Sequence, residues 1–139
     1  MNKLKFGLGV LLLSLVPLQV QSAESQQEYE TRFQIMLQYA VQINEYVRRH
    51  VQDKRLCSYA QEMTATNARS AEQMTPPNRY AEIHPHFLLV LENVERSIYY
   101  ASEGNLKRYR HLQRIVNKEL GILEALADRA GLKPYYENY

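Results

Sequence analysis

The chain has 139 residues, of which 45% are hydrophobic and 23% charged, with five glycines, five prolines and one cysteine. This length suits a single domain. The composition excludes a collagen-like protein, a disulfide-rich scaffold and a membrane protein with several spans, and it is too apolar for a fully disordered chain. A single cysteine cannot form a disulfide within the chain, so Cys57 is a buried apolar residue, an intermolecular bridge or a reactive thiol.

The N-terminal residues 1–23 have the layout of a secretory signal peptide. Two lysines come first, an apolar run covers residues 8–16, and Pro17 with small or polar residues follows. The apolar run is much shorter than the ~20 residues that cross a bilayer as a helix. We therefore expect cleavage after Ser22 or Ala23, no transmembrane anchor in the processed chain, and an exported protein that is periplasmic or secreted. The short leader fits a bacterial protein.

Removal of this segment changes the charge balance of the chain. The full sequence has 17 basic and 15 acidic residues, and residues 1–23 hold two of the basic ones and none of the acidic ones. The rest of the chain therefore has 15 of each and is neutral. A nucleic-acid-binding protein normally keeps a basic excess, which releases counterions from phosphate. We therefore expect no nucleic acid among the partners.

The residues after the leader predict two helices. Residues 26–73 contain no proline or glycine, and apolar residues recur every three or four positions. One unbroken helix would be about 70 Å long at ~1.5 Å per residue, which is improbable in a small domain. We expect a break between Asp53 and Ser58, because Ser58 and Gln61 have the spacing of a capping box. The expected helices cover about 26–52 and 58–73.

Two further helices follow a loop with two consecutive prolines. Pro85 suits the first turn of the third helix, and Gly104 suits a left-handed cap at its end. Asn105 can cap the fourth helix, and Gly131 can end it. The expected helices cover about 85–103 and 105–130.

Each predicted helix has one apolar face, and four such helices pack most simply with all four faces turned inward. The expected fold class is therefore all-α, an up-down antiparallel bundle of four helices. The sequence shows no repeat and no second domain, so residues 24–139 form one helical-bundle domain that includes a short tyrosine-rich tail at 132–139.

No sequence motif indicates a reaction. The chain lacks the nucleophile elbow, the P-loop, the Glu-x-x-His of di-iron bundles and the Cys-x-x-Cys-His of attached haem. Met36, Met63 and Met74 lie on apolar stripes, where methionine usually fills a core. We therefore expect a protein that is not an enzyme and has no cofactor. His84 and His86 are a weak alternative as a surface metal site, because imidazole binds transition metals.

Two features suggest a surface that binds a partner. The chain has 11 tyrosines and no tryptophan, and tyrosine is enriched at recognition surfaces, although its ring can also fill corners between helices. Six basic or imidazole side chains lie between Asn105 and Glu119 with no acid among them, which suits an acidic partner but also an ordinary solvated face. The expected binding residues are Tyr39, Tyr46, Tyr99, Tyr100, Lys107, Arg110, Arg114 and Lys118.

These patterns together favour an exported, non-enzymatic helical protein that acts through protein–protein interaction, as an adaptor, chaperone or inhibitor does. The expected partner is another protein, with an acidic surface as one option. The alternative is a periplasmic bundle that binds a small ligand, a metal or haem.

Overall fold

The computed structural model describes residues 22–133, and these residues form four α-helices without any β-strand. The predicted all-α helical bundle is confirmed. The signal peptide was predicted for residues 1–23, and all but the last two of these lie outside the described residues, as does the tail from residue 134 onward. The helices are α1 (Gln26–Arg49), α2 (Lys54–Glu72), α3 (Ile83–Ser102) and α4 (Leu106–Arg129), and a short 3-10 helix (Asn78–Tyr80) precedes α3.

The break between α1 and α2 lies earlier in the chain than expected. The carboxylate of Asp53 accepts a hydrogen bond from the backbone N–H of Leu56 at 3.0 Å, so Asp53 is the N-cap of α2. Ser58 lies inside the helix and caps nothing. An aspartate is a strong N-cap because its oxygen satisfies a free N–H and its charge favours the positive end of the helix dipole. As a result α1 ends three residues before the expected position 52, and α2 begins four residues before 58.

The turn between α3 and α4 matches the prediction closely. Gly104 has a φ of 75°, the left-handed conformation that a glycine adopts without strain. The side chain of Asn105 accepts a hydrogen bond from the N–H of Arg108 at 3.1 Å and caps α4. At the other end of α3, the helix begins two residues before Pro85, which therefore lies in the first turn, where its missing N–H costs nothing.

Aromatic side chains fill the end of the core where α1 begins. Tyr29 stacks on Tyr80 with ring centroids 5.3 Å apart, and the ring centroids of Phe33 and Phe87 are 4.7 Å apart. All four side chains are buried. Each such ring buries a large apolar area, so this cluster contributes strongly to the stability of the bundle.

The helices do not approach one another equally. The backbone of α3 lies close to those of α2 and α4, whereas α1 lies farther from its neighbours. The buried positions of α2 are small, with Ala60, Thr64 and Ala71 among them, whereas α1 buries Tyr29 and Phe33. The rings of Tyr29 and Phe33 contact His84 and Phe87 of α3. Since the separation of packed helices follows the size of the side chains between them, α1 stands off from α3.

Candidate binding groove

An open, largely apolar groove with a volume of about 480 Å³ runs between α1 and α2. Its apolar walls come from both helices, because residues three, four or seven apart lie on one face of a helix. The lining residues are Gln42, Ile43 and Tyr46 on one side and Asp53, Arg55, Leu56, Tyr59, Ala60 and Met63 on the other.

Three large apolar side chains of this groove are exposed to solvent. Tyr46 is 52% exposed, Tyr59 58% and Met63 48%. A single exposed apolar side chain is ordinary on a protein surface, but several around one concavity are typical of a binding site. Tyrosine and methionine are also enriched where proteins contact one another.

The position of the Tyr46 ring is set by a neighbour one turn along α1. The rings of Tyr46 and His50 have centroids 4.5 Å apart. Nδ1 of His50 lies 2.8 Å from the backbone carbonyl oxygen of Tyr46, and it donates this hydrogen bond because the carbonyl can only accept. The imidazole is therefore fixed, and it supports one wall of the groove.

Charged groups in the groove are confined to the N-terminal end of α2. The carboxylate of Asp53 caps α2, so one of its oxygens is already engaged. Arg55 is exposed beside it. The groove is therefore apolar along its length, with a carboxylate and a guanidinium at one end.

The predicted binding residues do not form one surface. Tyr46 lies in the groove, and Tyr39 is half-buried two turns earlier on the same face of α1, outside the groove lining. Tyr99 and Tyr100 lie on α3, with ring centroids 5.3 Å apart; Tyr99 is exposed and Tyr100 is half-buried. The basic candidates Lys107, Arg110, Arg114 and Lys118 are all exposed on α4.

Sequence reasoning missed the α2 wall of the groove. Met63 was expected to fill the core, and this expectation is wrong, because the side chain is about half exposed. Tyr59 is not among the binding residues expected from the sequence. Their spacing could have indicated this wall. Tyr59 and Met63 are four residues apart, which places two large apolar side chains on one side of a helix whose buried residues are small.

The histidines proposed as a weak metal site have separate partners. Nδ1 of His84 lies 3.1 Å from the hydroxyl of Tyr29, and burial lowers the pKa of this imidazole. Nδ1 of His86 lies 3.0 Å from a carboxylate oxygen of Glu119 on α4. Between residues 22 and 133, the structure contains no group of three or more histidine, cysteine or carboxylate side chains that could hold a metal ion.

Cys57 is fully buried in the core, and burial raises the pKa of its thiol. Of the three interpretations of this cysteine, the structure shows a buried apolar residue, since the thiolate needed for reactivity is disfavoured there.

Within the part of the chain that the structure describes, no helix combines the length and the apolar character needed to span a bilayer. Comparison of the chain with protein-family models, with curated proteins and with solved structures found no match.

Proposed function

We propose that this chain is an exported, non-enzymatic protein that binds an amphipathic segment of another protein in the groove between α1 and α2. The observation that carries this proposal is the exposure of Tyr46, Tyr59 and Met63, each near or above half, around one apolar concavity. The layout of residues 1–23 supports export.

The dimensions of the groove suit a short helical motif. Residues 56–63 of α2 extend over about 10 Å at ~1.5 Å per residue, which matches two turns of a docked helix. A helix presents apolar anchors at i, i+3 or i+4 and i+7 on one face, and such a face fits an apolar groove. The groove therefore accepts two or three anchor side chains.

The charged end of the groove adds a preference for the partner's sequence. Arg55 is exposed, and the neighbouring Asp53 carboxylate already accepts a hydrogen bond as a helix cap. An acidic residue beside the apolar anchors of the partner would face Arg55. The proposed partner segment is therefore an amphipathic helix with a carboxylate at one end.

A small apolar ligand is the second candidate for the same site. The volume of about 480 Å³ falls in the range of roughly 300–1,000 Å³ that small-molecule sites occupy. Under this alternative the protein is a carrier, and the exposed rings cover the bound molecule instead of a partner helix.

Site-specific photocrosslinking distinguishes the two candidates. A benzophenone amino acid in place of Tyr59 is expected to crosslink one protein in cells that produce this chain, whereas the same probe in place of Tyr99 on α3 is not. Tyr99 is a matched control because it is also an exposed tyrosine, at 45%, but lies outside the groove.

Binding measurements on the captured partner complete the test. A peptide from the crosslinked segment should bind a Tyr59→Ser, Met63→Lys variant at least about thirtyfold more weakly, the effect of losing an interface hot spot. The Tyr99→Ser control should bind as the unaltered protein does. Equal binding by both variants refutes the proposed site, and a stoichiometric apolar molecule in the purified protein, with no protein crosslink, supports the carrier instead.

A further inference from the structure

A second cavity, of about 310 Å³, lies between α3 and α4. Its polar lining is basic except for Tyr100 and for Asn93, whose amide already donates to the backbone carbonyl of Leu89. The α3 side contributes Arg96 and Tyr100, and the α4 side contributes Arg108 and His111. Leu112 and Ile115 supply an apolar wall. Of these residues, only Tyr100 belongs to the surface expected from the sequence.

Arg108 is held in place by Tyr100. Its Nη1 donates a hydrogen bond to the Tyr100 hydroxyl at 2.8 Å, and its guanidinium carbon lies 5.1 Å from the centroid of the same ring. This contact orients the guanidinium before any ligand binds, which reduces the entropy lost on binding. Because the Tyr100 oxygen accepts from Arg108, its own proton remains able to donate to a ligand.

Arg96 is only weakly engaged within the protein. Its Nη1 lies 3.6 Å from a carboxylate oxygen of Glu92, and both side chains are more than half exposed. A solvent-exposed pair of this kind contributes little to stability, so an anion can compete for the guanidinium.

The tautomer of His111 follows from its neighbour. Nη2 of Arg114 lies 3.5 Å from Nδ1 of His111. A guanidinium can only donate, so Nδ1 accepts and the neutral ring carries its proton on Nε2. His111, which lines the cavity, then has an N–H that can donate a hydrogen bond, and Arg114 adds a positive charge next to it.

We propose that the cavity between α3 and α4 binds a phosphate group. Two guanidinium groups from different helices, a tyrosine hydroxyl and an imidazole N–H supply donors, and guanidinium matches phosphate geometry with paired hydrogen bonds. The α4 side of the cavity has no acidic residue between Asn105 and Glu119, which favours an anion there, and Glu92 on α3 is the carboxylate that an anion would displace from Arg96. The apolar wall formed by Leu112 and Ile115 accommodates the organic part of the ligand, which is either a small phosphorylated molecule or a lipid headgroup.

The test uses inorganic phosphate as the first probe, titrated at constant ionic strength and followed by amide shifts in NMR spectra. The unaltered protein should show saturable shifts at the cavity. An Arg96→Gln, Arg108→Gln variant should bind at least about tenfold more weakly, because it loses two charged donors. A Lys107→Gln, Arg110→Gln variant loses the same charge from exposed residues outside the cavity, and its affinity should stay within about twofold.

A second arm identifies the source of the phosphate. Vesicles of phosphatidylcholine with and without phosphatidylglycerol are sedimented with each variant. Retention that requires phosphatidylglycerol and both cavity arginines assigns the site to a lipid headgroup, and phosphate binding without retention assigns it to a small molecule. The proposal is wrong if neither probe binds, or if the two variants lose binding equally, since net charge alone would then explain the effect. These measurements do not depend on the groove between α1 and α2.

Discussion

Replacing Tyr109 with phenylalanine should stabilise the protein. Tyr109 lies on α4 and is 5% exposed, and its hydroxyl oxygen is buried with no hydrogen-bond partner among residues 22–133. Burial raises the pKa of this hydroxyl, as expected where the charged form is poorly solvated. Phenylalanine keeps the ring in the core and removes only the hydroxyl, which loses its hydration on folding.

The size of the effect follows from the cost of an unpaired polar group. A buried hydroxyl without a partner lowers the free energy of unfolding by about 1–3 kcal/mol. The small void left when its oxygen is removed offsets part of the stabilisation that the substitution gives. The net increase in the free energy of unfolding should be about 1 kcal/mol, which corresponds to a rise in Tm of about 4 °C for a domain of this size.

Urea unfolding followed by circular dichroism at the helix band measures this change, and Tyr29→Phe is the matched control. The Tyr29 hydroxyl lies 3.1 Å from Nδ1 of buried His84, so its removal leaves that nitrogen without a partner and should cost about 1 kcal/mol. The two variants remove the same atom and should shift stability in opposite directions. A Tyr109→Phe variant that is less stable than the unaltered protein refutes the reasoning.

Three other predictions concern backbone conformation and pH. Gly121 lies inside α4, and an added Cβ would meet nothing within 4 Å beyond the adjoining residues and backbone of its own helix, so Gly121→Ala should add about 0.5–1 kcal/mol to the free energy of unfolding in a urea titration. Gly104→Ala should lower it by at least about 1 kcal/mol, because the φ of 75° strains an alanine, whereas the flexible end of Lys54 next to the added Cβ can move aside. Burial lowers the pKa of His84 in the folded state below its ordinary value of ~6.5. Below that pH the unfolded chain therefore binds more protons than the folded protein does. The free energy of unfolding should fall more between about pH 7 and pH 5 in the unaltered protein than in a His84→Gln variant.

The helices and most of their ends could be predicted from the sequence because they depend on local chemistry. The glycine–asparagine pair at 104 and 105 ends one helix and caps the next through atoms within a few residues. The start of α2 was misplaced because two capping signals compete within six residues, and the charged side chain of Asp53 prevails over Ser58. A pattern of residue types does not weigh such neighbouring signals against each other.

The candidate site could not be predicted in the same way. The expected set included Tyr46 and Tyr100, which the structure places in two different cavities, while Tyr59, Met63 and Arg96 were not in it. These side chains lie beside the apolar stripes of their helices, where the sequence alone does not distinguish a half-buried position from an open one.

The sequence by itself therefore determined the four helices, their apolar faces and their caps, because each depends on spacing along one helix. Only the tertiary structure decided which flanking side chains stay exposed, since that depends on how far apart neighbouring helices stand. Large rings between α1 and α3 and small buried residues along α2 set unequal distances in the bundle. The groove lined by Tyr46, Tyr59 and Met63 lies at the α1–α2 pair, where the helices stand farther apart.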